Sequence, residues 1–128
     1  MIIRDGKVAF LPSVVILCGS TRFKEEFEHW NKFFTLEGFI VLSVGVFPHS
    51  GDEITDQQKE RLDDLHKSKI DVAGMVFIIN KDNYIGDSTL GELDYAKKLK
   101  KDIYFAYEYD ELGRFKKFPD YIKRGVTQ

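Results

Sequence analysis

The chain has one cysteine, Cys18, and only three histidines among its 128 residues. A single thiol excludes an internal disulfide framework, and with so few histidines we expect no cluster of zinc-type ligands. No apolar run approaches the roughly 20 residues that a membrane-spanning helix needs, and no long apolar stretch follows Met1 as a secretory signal requires. We therefore expect a cytoplasmic protein without membrane contact.

The chain also lacks an excess of either charge, since 19 lysines and arginines face 21 aspartates and glutamates for a formal net charge of −2. This balance excludes a general attraction to nucleic acid polymers or anionic membranes, so any phosphate binding must be local. Hydrophobic residues make up 43% of the chain, which is normal for a globular protein. The length predicts one domain over residues 1–128.

Short apolar runs alternate with longer amphipathic segments, which is typical of a parallel sheet covered by helices on both faces. The predicted strands are residues 14–18, 39–44, 75–79 and 103–107. The predicted helices are residues 21–37, 56–72 and 88–101, with a short terminal helix at 118–123. Residues 2–3 and 8–10 flank an Asp5-Gly6 turn and are expected to form an edge hairpin.

Ligands of such folds collect beyond the carboxyl ends of the strands, where helix N-termini point their free N–H groups. The residues after the first buried strand are suited to a phosphate. Gly19 permits close approach of the backbone, Ser20 and Thr21 carry hydroxyls, and Arg22 offers a planar fork. The alternative is that Ser20 only caps the next helix and Arg22 is solvated.

The start of the last long helix gathers a second polar group: Asp87, Ser88, Thr89 and Glu92. One interpretation is a capping box, in which Glu92 bonds back to the helix start. The other is a carboxylate that the positive end of the helix dipole keeps ionised, as a nucleophile requires. The sequence pattern leaves both open.

Five further residues could belong either to the core or to a site. His66 falls on the apolar stripe of its helix with Leu62, Leu65 and Ile70, so it is either a hydrogen-bonded core residue or a group facing the crevice. Cys18 ends a buried strand and is expected to be inert, because its spacing from Arg22 is too short for a Cys-x5-Arg phosphatase loop. The residues that could wall a base, or belong to the core, are Phe23, Phe47 and His49.

Three segments together resemble the nucleoside 2-deoxyribosyltransferase superfamily, including its branch of deoxynucleoside 5′-monophosphate N-glycosidases. The segments are Leu17-Cys18-Gly19-Ser20-Thr21-Arg22, Lys69-Ile70-Asp71-Val72-Ala73, and Gly86-Asp87-Ser88-Thr89-x-x-Glu92-Leu93-x-x-Ala96. The resemblance runs in order from Val14 to Tyr107.

The resemblance implies a flavodoxin-like, doubly wound sheet of four or five mostly parallel strands, and a homodimer or higher homo-oligomer. It also implies that Glu92 attacks C1′ of the sugar and expels the base, through a glycosyl ester that water or a second base resolves. No metal or organic cofactor is implied. The residues it assigns to the 5′-phosphate are Gly19, Ser20, Arg22, Ser88 and Thr89.

Two departures separate this chain from the family pattern. His66 stands where the family has an aspartate that acts on the leaving base, and Gly74 replaces a second customary aspartate. Our leading hypothesis is cleavage or transfer at the N-glycosidic bond of a (deoxy)nucleoside 5′-monophosphate, with His66 as acid/base. The alternative is a nucleotide-binding sensor or partner module without turnover. A phosphoacceptor receiver domain is disfavoured, because the first strand does not end in acidic residues.

Overall fold

The computed structural model describes residues 1–107 and has an α/β fold of the flavodoxin-like type. Strands β1 (Ile2–Arg4) and β2 (Lys7–Ala9) form a small antiparallel hairpin. The main sheet is parallel, with strand order β4-β3-β5-β6. Its strands are β3 (Val14–Gly19), β4 (Ile40–Leu42), β5 (Met75–Ile79) and β6 (Asp102–Phe105). The helices are α1 (Lys24–Leu36), α2 (Asp56–Val72) and α3 (Asp87–Lys98).

These elements confirm the predicted fold class and the hairpin, which forms a separate two-stranded sheet and is not hydrogen-bonded to an edge of the main sheet. The predicted helix at residues 118–123 lies outside the described residues. Among residues 1–107, no helix is both long and apolar enough to cross a membrane.

Alternate side chains of β3 pack into two different hydrophobic cores, because successive residues of a strand point to opposite faces of the sheet. Val15 and Leu17 pack on one face with the aromatic side of α1, which includes Trp30. Ile16 and Cys18 pack on the other face with residues of α2 and α3. The two central strands are therefore covered on both sides, which explains their unbroken apolar sequences.

Helix α2 differs in one respect from its predicted inward stripe. His66 and Ile70 are buried as expected, but Leu65 is 49% exposed. A helix turns by about 100° per residue, so Leu65 cannot share a narrow stripe with His66 at the next position. The prediction that Leu65 faces the core is wrong, and its side chain instead lines the cavity described below.

Gly19 ends β3 at a point where the neighbouring strand leaves no room for a side chain. A Cβ atom there would lie 3.0 Å from the Cβ and 3.0 Å from the carbonyl oxygen of Ile79. Because Ile79 is fully buried, neither atom can move aside freely. Close pairing of β3 with β5 therefore requires glycine at this position.

We predict opposite effects of alanine at two glycines. Gly19→Ala should lower the free energy of unfolding by about 1–3 kcal/mol, because the added methyl overpacks the contact with Ile79. Gly91→Ala, in α3 with nothing near the added Cβ, should raise it by about 1 kcal/mol. Urea denaturation followed by the fluorescence of Trp30, the single tryptophan, measures both. Equal stability of the two variants would contradict the close contact.

Candidate functional site

A cavity of about 520 Å³ lies beyond the carboxyl ends of β3, β4 and β5, and its volume falls in the range of small-molecule sites. Helix α2 forms its opposite wall. Ten of the predicted site residues line this one cavity: Gly19, Ser20, Thr21, Arg22, His49, His66, Asp87, Ser88, Thr89 and Glu92.

The two aromatic candidates are not among the lining residues. Phe23 and Phe47 both pack against the hydrophobic core on the α1 face. The Phe47 ring meets the Phe27 ring edge-on, with 5.7 Å between their centroids. Phe23 and Phe47 are therefore core residues and do not form a wall for the base. The apolar part of the cavity wall comes instead from aliphatic side chains: Val44, Val46, Ile54, Leu62 and Leu65.

Arg22 is held in one place by its neighbours. Its Nε donates to Ser20 Oγ at 3.1 Å, and its Nη2 donates to Tyr84 Oη at 3.0 Å. The guanidinium also lies 4.0 Å from the centroid of the Tyr84 ring, in a cation–π contact. Ser20 does cap the following turn, by accepting from the Arg22 backbone N–H at 3.3 Å. Ser20 thus both caps the turn and orients Arg22, whose planar guanidinium is fixed beside the cavity.

The start of α3 faces the same end of the cavity. Its N-cap is Gly86, without a side-chain capping bond, and Gly86 to Thr89 line the cavity. The first N–H groups of a helix have no partner within the helix, so they and the helix dipole favour an anion. Two further lining residues are hydrogen-bonded to each other, since Thr21 Oγ1 lies 2.6 Å from His49 Nδ1. Together these groups can hold a phosphate.

Glu92 is not part of a capping box. Because α3 begins at Asp87, Glu92 stands in the second turn, and the N-cap glycine has no side-chain bond. Glu92 instead lines the cavity with 20% of its side chain exposed, and its Oε1 lies 3.5 Å from His66 Nε2. The capping interpretation is therefore wrong, and the carboxylate lines the cavity.

The protonation of Glu92 differs from the sequence-based expectation. Burial raises the pKa of Glu92 from its ordinary value of 4.5 to about 7, with a further rise from the negative charge of Asp63 and an opposing effect of Lys59. Desolvation disfavours the charged carboxylate more strongly than the helix start can favour it. The expectation that the helix dipole keeps this group fully ionised is therefore wrong.

His66 is uncharged at neutral pH. Burial lowers the pKa of His66 to about 4, and the nearby charge of Lys69 lowers it further, while Asp63 opposes them. The contact between His66 and Glu92 is accordingly a polar contact and not an ion pair. The same ring nitrogen, Nε2, also lies 3.1 Å from Cys18 Sγ. Burial raises the pKa of the Cys18 thiol well above its usual value, so the thiol keeps its proton.

Cys18, His66 and Glu92 form a cluster that the sequence did not reveal. One ligand-type atom of each lies within 4.8 Å of the others. The expectation that the chain has no cluster of metal-type ligands is therefore wrong. The three residues come from β3, α2 and α3, so no local spacing could indicate that they meet.

Comparison with known proteins assigns no function to this site, because neither a protein-family model nor a curated protein matches the chain.

We predict that Glu92→Gln stabilises the protein in a pH-dependent manner. The folded state binds the Glu92 proton more tightly than the unfolded state does, so the ionised carboxylate destabilises the fold above pH 7. The amide removes this cost, and the free energy of unfolding should rise by about 1–3 kcal/mol at pH 8 and by much less at pH 5. Urea denaturation at both pH values, with a chelator present, measures the difference.

The matched control is Asp94→Asn, which removes a carboxylate from the exposed face of the same helix. A loss of stability in Glu92→Gln at pH 8 would contradict the burial of an ionisable group and would support a structural role.

Proposed function

We propose that the protein cleaves or transfers at the N-glycosidic bond of a (deoxy)nucleoside 5′-monophosphate, with Glu92 as nucleophile. The observation that carries this proposal is one cavity with a fixed guanidinium and an uncapped helix start at one end and the partly buried Glu92 carboxylate in its wall. The resemblance to the nucleoside 2-deoxyribosyltransferase superfamily suggests the same chemistry from motif order alone. The proposal extends to a homo-oligomer, as that resemblance implies.

The anion-binding end suits the 5′-phosphate. Arg22 presents its guanidinium from a position fixed by Ser20 and Tyr84. The uncapped start of α3 adds backbone N–H groups, and Ser88 adds a hydroxyl. A phosphate held there uses binding energy remote from the reacting bond to position the sugar, which is how substrates reach a reactive geometry.

Glu92 then acts on C1′ of the sugar. An oxygen of the ionised carboxylate forms a bond to C1′ while the bond between C1′ and the base nitrogen breaks, and the base leaves with that electron pair. The transition state resembles an oxocarbenium ion, whose positive charge a poorly solvated carboxylate stabilises strongly. Because the pKa of Glu92 is about 7, a substantial fraction of the free protein carries the reactive anion at neutral pH.

His66 is suited to the second step. Its imidazole is uncharged at neutral pH, and its Nε2 faces the Glu92 oxygen at 3.5 Å. After the base has left, this nitrogen can accept a proton from the water that attacks C1′ of the glycosyl ester, which restores the Glu92 carboxylate. The leaving base occupies the aliphatic part of the cavity, where the wall contains Val46, Ile54 and Leu65.

We predict that Glu92→Gln abolishes release of free base from nucleoside 5′-monophosphates, with a fall in kcat of about a thousandfold or more, because the amide cannot attack C1′. The measurement is chromatography of a nucleotide panel after incubation with each protein. Asp94→Asn is the control and should retain wild-type rates. Base release by Glu92→Gln at the wild-type rate would exclude Glu92 as nucleophile.

The same assay separates the two candidate functions. Free base in the wild-type reaction supports the glycosidase, and formation of the 5′-monophosphate of a second, added base supports transfer. Saturable nucleotide binding without base release would instead support the sensor or partner module. The chromatogram reports hydrolysis and transfer, and calorimetry reports binding.

We predict that Arg22→Gln raises KM for the nucleoside 5′-monophosphate by about 10- to 100-fold, since a hydrogen bond to a charged group contributes about 1.5–3 kcal/mol. The rate with the corresponding nucleoside, which has no phosphate, should change little. Initial rates with the matched nucleotide and nucleoside measure this. Arg4→Gln, in the exposed hairpin, is the control. An equal loss on both substrates would contradict phosphate binding by Arg22.

A further inference from the structure

We infer that Cys18, His66 and Glu92 form a binding site for one divalent ion of the zinc class. The three ligand-type atoms are Cys18 Sγ, His66 Nε2 and Glu92 Oε1. Sγ lies 3.1 Å from Nε2, Nε2 lies 3.5 Å from Oε1, and the ligand-type atoms of the cluster all lie within 4.8 Å of one another. Each comes from a different element of the sheet and its helices, so the arrangement is fixed by the fold.

The size of the triangle fits the ion. With the third side at its upper limit of 4.8 Å, one point lies about 2.4 Å from all three atoms. Usual distances are about 2.3 Å from zinc to sulfur and about 2.0–2.2 Å to nitrogen or oxygen. Binding needs the Sγ–Nε2 pair to open, which requires a small shift of the His66 ring. It also needs the widest pair to close, which rotation of the partly exposed Glu92 side chain can achieve. The backbone of β3 need not move.

The ligand types select the class of ion. Thiolate and imidazole favour Zn²⁺ and similar transition metals, whereas Mg²⁺ and Ca²⁺ prefer oxygen ligands alone. On binding, the Cys18 sulfur forms a bond to the metal and its proton passes to solvent. His66 already has the uncharged imidazole that a metal needs, and a thiolate and a carboxylate together balance the charge of the ion.

The fourth position of a tetrahedral ion would face the cavity. His66 and Glu92 line the cavity, while Cys18 lies behind them in the core. An ion can therefore enter from the cavity and keep water or a small anion as its fourth ligand, as metal sites with three protein ligands do. Among the charged groups in the cavity wall, Asp63 favours the ion and Lys59 and Lys69 oppose it.

One consequence rests on the proposed function. A metal-bound Glu92 oxygen has no free electron pair directed at C1′, so the ion should inhibit base release, and a chelator should restore it. The site itself does not depend on that reaction. Binding can be measured without any substrate.

The experiment is a titration of the full chain, freed of metal by a chelator, with Co²⁺ as a spectroscopic substitute for zinc. We expect a thiolate-to-cobalt charge-transfer band and the intense visible bands of a tetrahedral ion, both removed by one equivalent of Zn²⁺. Cys18→Ala should lose the charge-transfer band. Cys18→Ala, His66→Gln and Glu92→Gln should each weaken zinc binding by at least about tenfold. His29→Gln, exposed on α1, is the matched control and should bind like the wild type.

Two outcomes would overturn the site: a wild-type protein without the charge-transfer band, or an unchanged band in Cys18→Ala. If Cys18→Ala does not fold, the wild-type spectrum and the affinity of Glu92→Gln decide. Absence of the band would not contradict the prediction that the metal-free protein releases base. Conversely, a protein that binds Co²⁺ through sulfur but releases no base in its metal-free form would refute the proposed function and leave the metal site intact.

Discussion

The parallel pairing of β3 with β5 is the constraint on which the rest of the structure depends. Its register sets Cys18 opposite Ile78 and Gly19 opposite Ile79, so both strands end at the same level. The turn that contains Arg22 and the segment that leads to α3 therefore leave the sheet side by side. A shift of one residue would turn Cys18 towards the α1 face and disperse the polar groups that now line one cavity.

Helix α2 closes that cavity at a cost in stability. It buries His66 beside Glu92 and Cys18, and burial disfavours the charged form of all three groups. The pKa of His66 consequently falls while that of Glu92 rises, and within residues 1–107 no ion pair compensates for the lost hydration. A domain stabilised only by apolar packing would place aliphatic residues there. Unfavourable burial of titratable groups in a cavity wall is typical of functional sites.

The sequence predicts those features that depend on neighbours along the chain. Apolar runs of β-branched residues indicate the strands, and a glycine with hydroxyls and an arginine after β3 indicates an anion site. Other features depend on residues far apart in sequence. Tyr84 holds Arg22 across 62 positions, and Cys18 meets His66 across 48. The protonation of Glu92 was predicted incorrectly because it depends on burial by α2. Leu65 was misassigned because adjacent helical positions point about 100° apart, so it cannot share the buried stripe of His66.

The two proposals for Glu92 have one physical cause. A buried carboxylate without a fixed cation stabilises any positive charge brought beside it. The cavity does contain two lysines, but Lys69 donates to the Ser43 carbonyl at 2.7 Å and Lys59 pairs with Asp63 at 3.3 Å. Among residues 1–107, both lysine amines of the cavity wall are engaged elsewhere and Arg22 is held by Ser20 and Tyr84, so a ligand can supply the positive charge at Glu92. An oxocarbenium-like sugar and a divalent metal ion both meet that requirement, and because they need the same oxygen, they exclude each other.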